Sequence, residues 1–298
     1  MSDNIPIRKS DSNQVNKNID VSPEVLSQLE NDVAQQSSRG NNQTTFTYPT
    51  ETIDLPSEGY FYPEDSILSK GRLELKYMTA KEEDILTSQN LIKKGVVLDR
   101  LLDELIVTNG VSSGDLIVGD RNAVFVAARI LAYGPKYEVK VSCPKCGEEN
   151  QVTIDLAAMA NKDFDFSGFT KGVNEFTYQL PISKRNITYK FLTGNDEKSI
   201  SQELESLSKV NKNATSPEVT TRLKYMIVAV DGKTDRQLVK NFVDKELTAR
   251  DAREFRKHIK ESSPDFDMTF DFVCEHCDHE GRIPMPMGIS FFWPDAEL

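Results

Sequence analysis

The only four thiols in this 298-residue chain come as two pairs with the same internal spacing: Cys143-Pro-Lys-Cys146 and Cys274-Glu-His-Cys277. Two thiolates separated by two residues on a tight turn converge on one point. Zinc takes four such donors tetrahedrally, with sulfur at about 2.3 Å. The two pairs therefore predict a closed four-thiolate site for a structural Zn2+, with no position open to water or substrate. Two other chemistries compete. A redox dithiol belongs near a βαβ pattern, whereas each pair here sits between two period-two runs. Isolated reduced thiols are the third possibility. His276 and His279 flank Cys277, and either could replace a cysteine as ligand. With four cysteines present, both are read as solvated turn residues.

The search for other chemistry returns little. HExxH, phosphate-loop and GxGxxG patterns are absent from the sequence. A GxSxG match, "GVSSG" at 110–114, centres on Ser112. A hydrolase elbow needs a strand before it and a helix after it, and neither flank fits. The third histidine, His258, lies beside Arg256 and Lys257 and reads as a surface residue, so Ser112 has no evident base. Glu82, Glu83 and Asp84 are explained by a helix start, where acids complement the dipole. No catalytic residue is assigned.

The elements that must position the cysteines are legible from periodicity. Tyr137, Val139 and Val141 alternate into the first pair, and Val152, Ile154 and Leu156 alternate out of it. Phe270, Phe272 and Cys274 lead into the second, and Ile283 and Met285 lead out. Each pair thus sits at the tip of a predicted β-hairpin. Upstream, "RLELKYM" reads as a strand. Thr79 with Glu82 forms a capping box for a helix running to about Lys94. Val97, Leu101, Leu105 and Ile106 make the stripe of a second helix. "DRNAVFVAARILAYG" is a third, apolar nearly all round, capped by Asp120 and stopped by Gly134. "EFTYQLP" and "NITYKFLT" predict another hairpin, followed by helices near 195–210, 217–229, 235–244 and 248–261.

Residues 1–47 are rich in Ser, Asn, Gln and Asp, a composition that cannot offset its own ordering entropy. One short helix is expected there, with Val25, Leu26, Leu29 and Val33 on a face that could order on a partner. At the other end Phe291, Phe292, Trp293 and Pro294 are adjacent; they either dock under the ribbon or anchor a partner. The balance of 36 basic and 47 acidic residues gives a net charge of −11, which opposes general binding to nucleic acid or an anionic membrane. No apolar run approaches the roughly 18 residues of a membrane span. The N-terminus lacks the apolar core of a secretory signal, so the chain is expected in a cytoplasm.

Several stretches together carry a resemblance. "LPSEGYFYP" (55–63), "MTAKEEDIL" (78–86), "GDRNAVFVAARILAYG" (119–134) running into "YEVKVSCPKCG" (137–147), and the "CEHC" and "FFWP" ending are similar to the baseplate hub subunits and hub assembly proteins of T-even-type contractile-tailed bacteriophages. The resemblance covers roughly 48–298. It implies a non-enzymatic protein of the virion tail, present in the host cytoplasm during assembly, that binds other tail proteins in multiple copies within a symmetric assembly. It also admits an assembly factor that leaves the finished particle.

The expected architecture is α+β, with helical lobes joined by a two-knuckle four-cysteine zinc ribbon and a disordered N-terminal arm. Its parts are the arm (1–47), a hairpin with helices (48–135), a discontinuous ribbon with an aromatic tail (136–157 and 266–298), and an inserted hairpin with helices (158–265). A zinc-ribbon regulator of nucleic acid is the rival from another class. Glu148, Glu149, Glu275, Asp278 and Glu280 on the ribbon turns have the wrong sign for phosphate. Neither a small-molecule substrate, nucleic acid nor a membrane is expected as a partner.

Overall fold

β1 (Thr50–Asp54) and β2 (Arg72–Lys76) pair antiparallel, with Ile53 opposite Leu73. The computed structural model describes residues 49–210 and 216–292. The predicted arm, including Val25, Leu26, Leu29 and Val33, lies outside those residues. The turn after β1 passes through Gly59 at φ +75°. A Cβ there would sit 2.5 Å from Gly71 N and Ser69 O, so the site admits only glycine without moving backbone.

The capping box forms as read. The Glu82 carboxylate accepts the Thr79 N–H at 2.9 Å and the Thr79 hydroxyl at 2.6 Å. It also takes the Lys76 ammonium at 2.9 Å while almost fully buried. The helix it opens is shorter than expected. α1 (Ala80–Thr87) stops where Ser88 turns extended, and α2 (Gln89–Lys93) restarts beyond it. Serine tolerates that break because it competes poorly as a helix interior residue. Burial opposes ionisation of Glu82, yet the bonds from Thr79 and Lys76 carry its pKa down to about 2. A depressed pKa means that this stabilisation is present above pH about 4.5 and lost as pH falls toward 2. Glu82→Ala should therefore cost about 2–3 kcal/mol at neutral pH. Urea midpoints of the two proteins should converge at acid pH, and parallel curves would contradict the assignment.

α3 (Val97–Leu105) buries Val97, Leu101, Leu102 and Leu105. α4 (Val118–Tyr133) is buried on most sides, as its composition implies. Its start differs from expectation. Ile117 is the N-cap, and Asp120 lies within the first turn, fully buried. There it accepts the Ser57 N–H (2.8 Å), the Ser57 hydroxyl (2.6 Å) and the Tyr62 hydroxyl (2.6 Å), while Tyr62 accepts the Ile117 N–H at 2.9 Å. The acid thus ties the "LPSEGYFYP" turn to α4 instead of capping the helix. Beside it, a Cβ on Gly119 would stand 2.0 Å from the Pro264 carbonyl oxygen, so only glycine lets these segments touch.

β3 (Lys136–Ser142) and β4 (Glu149–Asp155) form the first cysteine hairpin. β5 (Phe176–Gln179) pairs with β6 (Asn186–Tyr189) as predicted. Helices α5 (Gly194–Val210) and α6 (Glu218–Met226) follow. The helix expected to reach 229 ends at Met226. "IVAV" continues as β7 (Ile227–Val230), third strand of the β5–β6–β7 sheet. A short apolar run buried on both faces has no alternation to mark it as a strand, although its β-branched residues favour one. α7 (Arg236–Asn241) and α8 (Ala249–Ser262) precede the second cysteine hairpin, β8 (Thr269–Val273) with β9 (Glu280–Pro284), and α9 (Ile289–Phe292).

The result is α+β, helices over small antiparallel sheets. The described residues form one compact unit with a continuous apolar core running from Leu55 to Phe292. Phe61 is its aromatic centre, with Phe164, Phe169, Phe176 and Phe191 edge-on at 5.1–5.9 Å. His258 belongs to this interior more than to the surface. Its ring stacks on Tyr178 at 4.3 Å and its Nε2 lies 2.8 Å from the Tyr189 hydroxyl. The neighbouring Arg256 and Lys257 suggested exposure because they share its stretch of helix but face the other way.

Candidate metal centre

Each cysteine pair sits in a turn closed by two backbone bonds of the same pattern. In the first, Cys143 N–H donates to Glu148 C=O (2.9 Å) and Gly147 N–H to Cys143 C=O (2.9 Å). In the second, Cys274 N–H donates to His279 C=O (3.0 Å) and Asp278 N–H to Cys274 C=O (3.1 Å). Both turns need a left-handed residue directly after the second cysteine: Gly147 at φ +80° and Asp278 at φ +52°. Glycine takes that conformation freely, and aspartate is one of the few other residues that tolerates it. Lys145 N–H points at Cys143 Sγ and His276 N–H at Cys274 Sγ, each at 3.4 Å. These donors suit thiolates.

The two turns face each other. Cys143 Sγ lies 3.7 Å from Cys277 Sγ, and Cys146 Sγ lies 3.6 Å from Cys274 Sγ. All four sulfurs lie within 4.8 Å of one another, too far for disulfides and close enough to hold one metal ion. Sulfurs at about 2.3 Å around a tetrahedral ion stand about 3.8 Å apart, so the donor set fits a four-coordinate cation. Cys143 and Cys274 are buried, Cys277 is half-buried and Cys146 is exposed.

The thiols shape one another's acidity. Burial opposes ionisation of Cys274, yet N–H bonds from His276 and Cys277 and the neighbouring sulfurs bring it down to about 6. Burial and the same neighbours push Cys277 up to about 12. Cys143 is likewise held down and Cys146 pushed up, so ionisation grows reluctant as charge accumulates on the four sulfurs, unless a cation compensates it. His276 is exposed at the rim, with Nε2 3.3 Å from Glu149 C=O, and neither it nor His279 is among the clustered donors.

Beneath the sulfurs Val141 and Phe272 pack into a small apolar cluster with Cys143 and Cys274, apart from the main core. Asn150 stitches the hairpins together. Its side-chain oxygen accepts Glu275 N–H from the opposite knuckle at 2.8 Å, and its amide donates to Glu148 C=O at 3.0 Å. It is 2% exposed. Nothing in its sequence context marks it, because an asparagine after a turn reads as turn chemistry. Asn150→Ala leaves the Glu275 N–H without its acceptor and takes one of two donors from the Glu148 carbonyl, which keeps the Cys143 N–H. It should cost about 1–3 kcal/mol and loosen the site for any bound metal by about 10–100-fold. A chelator-competition titration would read the second effect; unchanged affinity would mean that Asn150 only fills space.

The aromatic ending behaves differently from a partner anchor. Phe291 and Phe292 are fully buried, with Phe291 edge-on to Tyr137 at 5.0 Å and Phe292 5.7 Å from Phe125. The chain's own core takes both rings, so for Phe291 and Phe292 the docked reading holds and the partner-anchor reading does not. Trp293 and Pro294 lie outside the described residues. Ser112 sits in a half-buried turn, where its N–H and hydroxyl both donate to the Asp115 carboxylate at 2.9 Å. No helix among the described residues is long and apolar enough to cross a membrane.

No curated protein and no solved structure matches the chain. A family model does, and its match runs over residues 52–293, from β1 through both cysteine hairpins to the buried aromatic pair. By that match the chain belongs to the family of the T4 bacteriophage base plate protein.

Proposed function

We propose that this chain is a non-enzymatic structural component at or near the baseplate hub of a contractile tail, where it binds other tail proteins. Cys143, Cys146, Cys274 and Cys277 bind one structural Zn2+. The observation carrying this reading is the facing pair of knuckles, which uses every thiol and leaves no donor position for a substrate. The metal clasps 136–157 to 266–298, with 158–265 inserted between them and 48–135 leading in. The arm of 1–47, with Val25, Leu26, Leu29 and Val33, and the end at Trp293 and Pro294 are contact elements for neighbouring subunits. An acidic, motif-poor chain agrees with a protein partner and not with nucleic acid, a membrane or a small molecule.

Quantitative mass spectrometry of purified particles tests the role. A fixed ratio to other tail proteins is expected. Abundance in lysate with absence from particles would instead identify an assembly factor that acts on the hub and leaves. Elemental analysis of the purified chain tests the metal, with one zinc per chain expected.

A further inference from the structure

α8 carries five basic residues, Arg250, Arg253, Arg256, Lys257 and Lys260, and all are exposed. At 3.6 residues per turn they fall within an arc of about 120° and span about 15 Å of helix. Asp251, Phe255 and His258 occupy the opposite, inward side. Such a stripe can be merely solvated, so its surroundings decide. Arg100, Arg121, Arg185, Arg222 and Arg282 each have a carboxylate within ion-pair distance. Among the described residues Arg250, Arg253, Arg256 and Lys260 have none, and Lys257 has only Glu261 at 3.9 Å on the exposed flank. In a chain with eleven more acids than bases, this concentration of unpaired cations is a local reversal of sign.

The molecule also carries the complementary surface. The two cysteine turns expose Glu148, Glu149, Glu275, Asp278 and Glu280 around one tip, against the single base Lys145. The chain's own ion pairs do not join the stripe to the tip, so within one copy each surface is left to a partner.

We propose that the basic face of α8 docks on the acidic cysteine-turn tip of a second copy of this chain. Stripe against stripe would repel, so the contact is head-to-tail and propagates into a ring or a row of copies. A polyanion such as DNA fits less well, because the rest of the surface repels it and Glu254 and Glu261 flank the stripe.

Sedimentation velocity of the full chain at physiological salt, over a range of concentrations, tests this. Wild type should self-associate. Arg253→Glu with Lys257→Glu should weaken association about tenfold or more, since like charges then face each other. Glu148→Lys with Glu280→Lys should weaken it similarly, although it makes the chain less acidic. Net charge alone predicts the opposite for that second variant, so its direction is decisive. Mixing the two variants should restore association. The independent pair Lys260→Glu and Glu149→Lys repeats the test if either double variant melts abnormally or loses its metal. A monomeric wild type, a tip reversal that strengthens association, or a stripe that binds a DNA duplex in a gel shift instead would each overturn the proposal.

Discussion

Cys274→Ser should yield a chain without bound zinc whose cysteine hairpins come apart while the rest of the molecule stays folded. The physical basis is the separation of the two apolar clusters. The main core runs from Leu55 to Phe292 without the knuckles. Near the knuckles the hairpins share Val141, Phe272 and the sulfurs, a few half-buried neighbours and the Asn150–Glu275 bond. That contact is too small to hold together two segments 128 positions apart in the chain. Binding free energy at a structural zinc site is folding free energy for the part it organises. We expect a loss of about 4 kcal/mol or more for this part, or roughly 10 °C in its melting temperature. Limited proteolysis should cut near 143–149 and 274–280 first. Wild type stripped by a chelator should behave like the variant and recover when zinc is returned. Acidification should mimic the chelator, because every ligand must be deprotonated to bind. A metal-free variant that keeps wild-type stability and protease resistance would show that the metal organises nothing.

The second large effect belongs to Asp120. Asp120→Ala removes the acceptor for the Ser57 N–H, the Ser57 hydroxyl and the Tyr62 hydroxyl, all in the interior. Three buried donors then lack partners, and a cost of about 3–5 kcal/mol follows. Tyr62→Phe removes one donor and leaves the carboxylate two others, so it should cost about 1–2 kcal/mol. Asp120 also has a pH signature of the opposite sign to Glu82. Burial pushes its carboxyl up to about 6 against the pull of Ser57 and Tyr62, and repulsion from Asp265 adds to the rise. With the folded pKa above the ordinary value, its contribution is full below pH about 4 and lost as pH rises through about 6. Relative to Asp120→Asn, which cannot titrate, wild type should therefore lose about 3 kcal/mol between those limits. Denaturant melts of both proteins at pH 4 and 7 measure it. A constant difference would mean that the carboxyl keeps its ordinary acidity.

The clustering of the four cysteines was legible in the sequence because its information is local. Spacing fixes which cysteines share a turn, and alternation such as Tyr137-x-Val139-x-Val141 fixes the strands that carry them. The capping box at Thr79 and Glu82 and the stripe from Val97 to Ile106 were legible for the same reason. What escaped depends on partners distant in sequence. Asp120 looks like a helix cap until Ser57 and Tyr62 arrive from another turn. Asn150 looks like turn chemistry until Glu275 faces it. His258 looks solvated beside Arg256 and Lys257 until Tyr178 and Tyr189 close over it. "IVAV" looks like the end of a helix because a strand buried on both faces has no period. Phe291 and Phe292 offered two readings, and only the position of Tyr137 and Phe125 decides between them.

The distance along the chain between the two knuckles also sets an order of events during synthesis. Cys143 and Cys146 leave the ribosome as half a site, and Cys274 follows Cys146 by 128 residues. At about 5–20 residues per second the first pair waits roughly 6–25 seconds for the second. Through that interval a captured ion has two thiolates and exchanges readily, while the sheet of β5, β6 and β7 and helices α5 to α8 are made. Tight capture of an ion becomes possible only once Cys274 and Cys277 have been made. Closing the clasp therefore reports that the second cysteine hairpin has been made: a chain truncated before Cys274 can fold in part but cannot lock.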